Sequence, residues 1–103
     1  MPIIIKQALA EEDLVAIWLY TFNEWGEQQA DKYLDDLNAA ITLLADQPLI
    51  CRERTELEPP VRIHHHGHHL IVYLALDNGI NLVRLLHESM DVDSHLEDSE
   101  AGQ

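Results

Sequence analysis

Ile-Asn-Leu-Val-Arg-Leu-Leu-His, residues 80 to 87, carries the strongest structural signal in this sequence. Apolar residues stand on both alternating faces of the stretch, and β-branched and leucine side chains dominate it. This pattern is typical of a strand that is buried on both sides. We therefore predict that Ile80 to His87 is the central strand of the fold.

Two further strands are predicted directly upstream. The run His69 to Leu76 is strand-like and is joined to the central strand by Asp77-Asn78-Gly79, in which Asn-Gly favours the positive φ angles of a tight hairpin turn. Val61 to His66 precedes a second tight turn at Gly67-His68. The three strands are therefore expected to form an antiparallel meander.

The last strand of a meander has a free edge, which natural proteins cover. Ile3-Ile4-Ile5 is the one other β-like run in the sequence. We therefore predict that Ile3 to Lys6 pairs beside Ile80 to His87 and completes a four-stranded sheet.

Two helices are predicted between the first strand and the meander. Glu11-Glu12-Asp13 is expected in the first turn of the first helix, where carboxylates interact favourably with the helix dipole, and Gly26 is expected to end it as a left-handed residue. The second helix stops at Asp46-Gln47-Pro48. Because the connection is short, the two helices should pack as an antiparallel hairpin.

The remaining segments complete the predicted fold. Leu49 to Pro60 lacks periodicity and is interpreted as a surface loop, and Asp91 to Leu96 is expected to form a helical turn with Asp91 or Ser89 as its cap. This order predicts an α+β fold with the helical hairpin on one face of the sheet. The predicted shared core consists of Leu14, Ile17, Trp18, Leu34, Leu37, Ile41, Val72, Val83 and Leu85.

Length and composition indicate one folded domain. The 103 residues are 47% hydrophobic, and we assign residues 1–96 to the domain and 97–103 to an acidic disordered tail. The lone Cys51 allows no disulfide framework, and no apolar run approaches the roughly 20 residues that span a bilayer. The N-terminus lacks the apolar core of a secretory signal. These features predict a cytoplasmic protein without membrane association.

The charge balance bears on the class of partner. Nineteen acidic residues against six basic ones give a formal net charge of −13. Such a charge repels phosphate backbones and removes the usual source of nonspecific affinity for nucleic acid. Direct binding to bare DNA or RNA is therefore not expected.

The order of elements and several groups of residues resemble the ParE branch of the RelE/ParE superfamily of toxin-antitoxin toxins. The resemblance covers nearly the whole chain and implies a toxin, of the kind associated with plasmid maintenance, that inhibits DNA gyrase by protein-protein contact. It also implies a ParD-like antitoxin that neutralises the toxin in a hetero-oligomer. The matching residues are Asp13-Leu14, Ile17-Trp18, Tyr20, Trp25-Gly26, Gln29-Ala30, Tyr33-Leu34, Gly67, His69, Ile71, Tyr73, the run Arg84 to Asp91, and His95-Leu96.

The resemblance also suggests binding residues, and no catalytic residue, cofactor or metal is predicted. Tyr20, Trp25 and Tyr33 are candidate antitoxin contacts, although the helical spacing of Trp18, Trp25 and Tyr33 favours a place in the core. The candidate gyrase contacts are Arg84, His87, Met90, Val92 and Leu96. For Leu96, folding back onto the sheet is the favoured structural role.

Some of these residues keep two interpretations. Arg84 in a central strand must either pair with a carboxylate or emerge at a groove where a partner meets it. His69 and His87 either serve the function or, as we favour, are partly buried residues that are hydrogen-bonded at strand ends.

The histidine-rich turn His64-His65-His66-Gly67-His68-His69 has the composition of a metal site. Consecutive strand residues point to opposite faces, however, which prevents adjacent imidazoles from converging on one tetrahedral ion. We therefore interpret this segment as an exposed hairpin tip.

Two alternative functions stay open. A RelE-like ribosome-dependent mRNA endoribonuclease would need several cationic groups around the scissile phosphate. Here the segment Glu88-Ser89-Met90-Asp91-Val92-Asp93 is acidic and would repel the phosphate, which disfavours the enzyme. A degenerate toxin that only binds antitoxin is the second alternative, since the strong acidity departs from the charge associated with the family.

Overall fold

A sheet of five strands, in the order β1-β5-β4-β3-β2, forms one layer of the computed structural model, which describes residues 2–96. A hairpin of two long helices forms the second layer. The strands are β1 (Ile3–Lys6), β2 (Glu53–Arg54), β3 (Val61–His66), β4 (His69–Leu76) and β5 (Gly79–His87), and the helices are α1 (Ala8–Trp25), α2 (Glu27–Asp46) and α3 (Val92–Leu96). The tail predicted at 97–103 lies outside the described residues.

The predicted centre of the fold is confirmed. β5 lies between β1 and β4, and β1 runs parallel to it with pairs from Ile3 and Gly79 to Lys6 and Leu82. β3, β4 and β5 form the expected antiparallel meander. The apolar run 80–87 therefore sits where both of its faces can be covered.

The predicted loop 49–60 and the predicted start of α1 need correction. Glu53 and Arg54 pair with Arg62 and Val61, so the sheet has five strands where four were predicted. A strand of two residues is too short to show the period-2 pattern. α1 begins at Ala8, so Asp13 lies beyond the first turn and takes another role, described below.

The Asn-Gly turn also differs from the prediction. Among the described residues, positive φ angles occur only at Gly26 (91°) and Gly67 (57°), and not at Asn78 or Gly79. Gly79 is required for another reason, because a Cβ atom there would lie 1.8 Å from the carbonyl oxygen of Ile3. The close approach of β1, and not the turn conformation, selects glycine at this position.

The sheet is buried on both faces, so there are two cores instead of the one predicted. On the helix side, the predicted residues Ile17, Leu37, Ile41 and Leu85 pack together, with Leu14 and Leu34 partly buried against them. Val72 and Val83 belong instead to a second cluster on the opposite face, because side chains alternate along a strand. This second core consists of Val61, Val72, Val83, Leu86 and Leu96, with Leu57, Ile63, Leu74 and Val92 at its margin.

A register shift in β5 decides which residues reach the helices. Tyr73 pairs with Leu82 while Val72 pairs with Arg84, so Val83 is an extra residue in β5. A bulge of this kind changes the phase of the alternation. As a result Leu82 and Leu85, three positions apart, share the helix side.

No helix within residues 2–96 has both the length and the apolar character needed to cross a membrane.

Candidate functional site

The outward face of α1 carries an apolar stripe that the sequence analysis missed. Val15, Leu19 and Phe22 are 60%, 50% and 41% exposed, and their spacing of four and three residues places them on one side of the helix. The buried residues Ala10 and Ile17 lie on the other side. The signal was present in the sequence, but a search for one core-facing stripe does not look for a second.

The N-terminal part of this stripe is a shallow groove with an acidic margin. Ala8, Val15, Ala16 and Leu19 form its apolar lining, and Glu11 and Glu12 flank them. The helix contains no Lys or Arg between Ala8 and Trp25. The groove therefore suits an apolar surface with basic residues at its edge.

Two further aromatic side chains of α1 are exposed. Tyr20 and Trp25 are 64% and 72% exposed, so the predicted place of Trp25 in the core is wrong. Helical spacing does not reveal where the covering layer ends, and Trp25 is the last residue of α1. Trp18 is only half-buried; it stacks on Phe22 at 5.1 Å, and its Nε1 donates to Asp31 Oδ1 at 3.0 Å.

Tyr33 has a structural role between α2 and the sheet. Its hydroxyl lies 2.6 Å from Nδ1 of His69 and accepts a hydrogen bond from the His68 amide at 3.3 Å. A Cβ atom at Gly67 would come within 2.7 Å of this hydroxyl, so glycine is needed for space as well as for its φ of 57°. Burial lowers the pKa of His69 to about 4 and raises the pKa of Tyr33.

Arg84 pairs with a carboxylate, which answers the question that the sequence left open. Its Nε and Nη2 donate to the two oxygens of Asp13 at 2.8 and 3.1 Å, and both side chains are largely buried. Asp13 also accepts the Leu85 amide at 3.0 Å. β1 ends opposite Leu82 and so offers no backbone acceptor further along this edge of β5. The Asp13 carboxylate accepts the Leu85 amide in its place.

The other candidate gyrase contacts differ in exposure. His87 is exposed, with its Nδ1 accepting the Ser89 amide at 3.1 Å, and Met90 is 45% exposed. Val92 is partly buried, and Leu96 is fully buried in the second core, which is the structural role favoured for it. The structure therefore presents His87 and Met90 together and withdraws Leu96 from contact with a partner.

The histidines of the β3–β4 hairpin point to different sides, as predicted. His64 Nδ1 lies 3.8 Å from Sγ of Cys51, whereas His65 contacts Glu88. Within residues 2–96, no group of three His, Cys, Asp or Glu side chains is arranged to hold a metal ion.

The two-layer fold matches that of a solved structure. One chain of the solved "Chromosomal ParDE TA system from P. aeruginosa" superposes with a TM-score of 0.70 at 19% sequence identity, covering 84% of this chain and 96% of that one. This likeness defines the fold class.

The family follows from the sequence comparisons. Residues 4–92 match the family described as "ParE toxin of type II toxin-antitoxin system, parDE". Toxin ParE1 of Mycobacterium tuberculosis is 40% identical over 88 residues, covering 84% of this chain and 90% of the relative. Toxin ParE of Escherichia coli is 35% identical over 99 residues, covering 95% and 96%. The chain belongs to the ParE toxin family of type II toxin-antitoxin systems.

Proposed function

We propose that this toxin inhibits DNA gyrase by protein-protein contact in the cytoplasm, cleaves no RNA, and is neutralised by a ParD-like antitoxin that covers the outward face of α1. The observation that carries the proposal is the apolar stripe of Val15, Leu19 and Phe22 on a helix whose other side already packs on the core. A second apolar face adds nothing to folding, but it matches the surfaces that proteins use to bind each other.

The antitoxin is expected to present an apolar helix to this stripe. Helix-in-groove recognition places side chains at helical spacing into an apolar surface. Tyr20 and Trp25 are exposed on the same helix, and aromatic residues are frequent among those that dominate binding energy. Tyr33 offers less, because its hydroxyl is engaged with the β3–β4 turn.

Gyrase contact is assigned to the segment that follows β5. Met90 and His87 are the exposed members of the candidate set, and Met is an adaptable residue at binding surfaces. Val92 is partly buried and Arg84 is largely buried, so these two residues support the segment from its inner side. Leu96 anchors it in the second core.

The charges favour binding over RNA cleavage. The guanidinium of Arg84 is held by Asp13, and Glu88 lies beside His65 and His68. A phosphodiester approaching this end of the sheet would meet Glu88 and Asp91 in a chain of net charge −13. Cleavage instead needs preorganised positive groups at the scissile phosphate.

The test compares gyrase supercoiling with translation in a cell-free extract, using the purified toxin with and without its antitoxin. We expect loss of supercoiling, intact messenger, and recovery when antitoxin is added. Cleaved messenger with unchanged supercoiling would establish the ribonuclease instead. The absence of both effects would indicate a toxin that only binds antitoxin.

Point variants locate the gyrase contact without unfolding the second core. Met90→Glu places a charge on the exposed segment and should weaken inhibition. Leu49→Glu is the matched control, because Leu49 is also an exposed apolar residue, at 71%, but lies in the loop after α2. Equal inhibition by both variants would remove Met90 from the contact.

A further inference from the structure

Glu88 joins three parts of the chain at one end of the sheet. Its Oε1 accepts from Nε2 of His65 in β3 at 3.0 Å, and its Oε2 accepts from Nδ1 of His68 in the β3–β4 turn at 2.8 Å. Its backbone amide donates to the carbonyl oxygen of His68 at 2.9 Å. Glu88 is the first residue after β5, so these bonds hold the point where the C-terminal segment leaves the sheet.

The segment from Glu88 to Leu96 is held at both ends. At its far end Leu96 is buried in the second core, and Arg84 Nη1 donates to the carbonyl oxygen of His95 at 3.4 Å. Between these ends Met90 is exposed, and its amide donates to the carbonyl oxygen of His87 at 2.9 Å. Met90 therefore lies in a segment that is held on one side by Glu88 and on the other by Leu96.

We propose that Glu88 is a positioning residue, and that His65 and His68 form with it a clasp that holds the C-terminal segment more firmly when the two imidazoles are protonated. The effect of the clasp on gyrase inhibition rests on the proposed function.

The pH dependence follows from the partners of the carboxylate. A neutral imidazole can already donate one N–H bond to Glu88, and protonation converts it into a stronger charge-assisted bond. Histidine changes its charge between about pH 5 and 8. Hydrogen bonds from His68 and His65 lower the pKa of Glu88, so the carboxylate keeps its charge through this range and loses its contribution only when the pH falls further.

Other titratable groups lie around the clasp. His87 stacks on His68 at 6.5 Å, and protonation of its Nδ1 would remove the acceptor of the Ser89 amide and repel His68. His69, 5.7 Å from His87, stays neutral in the range because burial lowers its pKa to about 4. The Tyr33 phenol, whose pKa is raised, also stays neutral, and its ring faces His66. His65 and His68 are the imidazoles of this cluster whose nitrogens lie within hydrogen-bonding distance of a carboxylate.

A double-mutant cycle on the full chain tests the clasp. Glu88→Gln is combined with His68→Gln, and urea unfolding is measured at about pH 5 and about pH 8, the limits of histidine titration. We expect coupling between the two positions that is stronger at the acidic pH. The matched control is His66→Gln, whose imidazole contacts Tyr33 and should show no coupling to Glu88.

Equal coupling at both pH values would overturn the clasp. Supercoiling assays at mildly acidic and alkaline pH then separate the two proposals. If the wild type does not inhibit gyrase, the proposed function fails while the cycle still decides the clasp. If it inhibits gyrase and Glu88→Gln inhibits equally well at both pH values, Glu88 is not a positioning residue for that contact.

Discussion

The two helices of the hairpin pack on the same sheet, yet their outward faces differ. α1 exposes the stripe of Val15, Leu19 and Phe22, whereas α2 exposes mainly polar residues and has Leu43 as its one large exposed apolar side chain. On α2 the exposed Lys32 pairs with Asp36 at 3.3 Å. α2 is thus a surface helix with one buried face, while α1 is apolar on two sides.

Folding requires only one of the two apolar faces of α1. Packing on a sheet needs a single apolar stripe per helix, and a second stripe exposed to water gives the isolated domain no stability. Polar side chains of α2 form contacts within the chain, such as the contact of Tyr33 with the β3–β4 turn. The surplus apolar area of α1 therefore indicates a partner.

The largest effect is expected on the inner face of α2. Leu37 is fully buried in the helix-side core, so Leu37→Ala should lower the free energy of unfolding by about 2 to 5 kcal/mol. Urea denaturation followed by circular dichroism measures this change. A loss below about 1 kcal/mol would mean that the inner and outer faces do not differ in the way described.

The next effect separates the two outer faces. Leu19→Asp on α1 should weaken antitoxin binding by about 10- to 100-fold, as expected when a charge replaces an anchoring apolar residue. Leu43→Asp on α2 is the matched control and should leave affinity unchanged; the two leucines are 50% and 41% exposed. Titration calorimetry gives the affinities. The free energy of unfolding should change by no more than about 0.5 kcal/mol in either variant. An equal loss of affinity in both would contradict the assignment to α1.

A smaller effect concerns the acidic margin of the groove. The antitoxin segment should carry Lys or Arg, so its association rate with the wild type should fall between low salt and about 0.15 M ionic strength. The double variant Glu11→Gln, Glu12→Gln should bind more slowly and with a weaker salt dependence in stopped-flow measurements. Asp35→Asn on α2 is the control. If the wild-type rate is insensitive to salt, the electrostatic part of recognition is wrong and the apolar part stands.

A pH-dependent effect is expected from the polar contact that joins α2 to the sheet. Burial lowers the pKa of His69 from 6.5 to about 4. As the pH falls, His69 is therefore protonated in the unfolded chain before it is protonated in the folded one. The stability that neutral His69 contributes is complete above about pH 6.5 and is lost as the pH falls toward about 4. His69→Gln should flatten the pH dependence of the melting temperature in this window, and His66→Gln should not. An unchanged slope in His69→Gln would contradict the lowered pKa.

Much of the fold was predictable because its signals are local. The two apolar faces of the run Ile80 to His87 show that this strand is central. A central strand needs a neighbour on its free edge, and Ile3 to Lys6 pairs there. The candidate site was less accessible. Tyr20 was placed among the antitoxin contacts only by the family resemblance, and Val15 and Leu19 were passed over because one apolar stripe already explained the helix.

The sequence by itself determined where the helices and main strands lie and how the meander is connected, because periodicity and turn residues act over a few neighbouring positions. Only the tertiary structure decided which distant groups meet. Asp13 and Arg84 pair across 71 positions, and Tyr33 reaches His69 across 36. It also decided that Trp25 is exposed and that Val72 and Val83 form a second core. Such contacts depend on where the helix and sheet layers end and on the register between neighbouring strands. The spacing of residues within one segment does not contain that information.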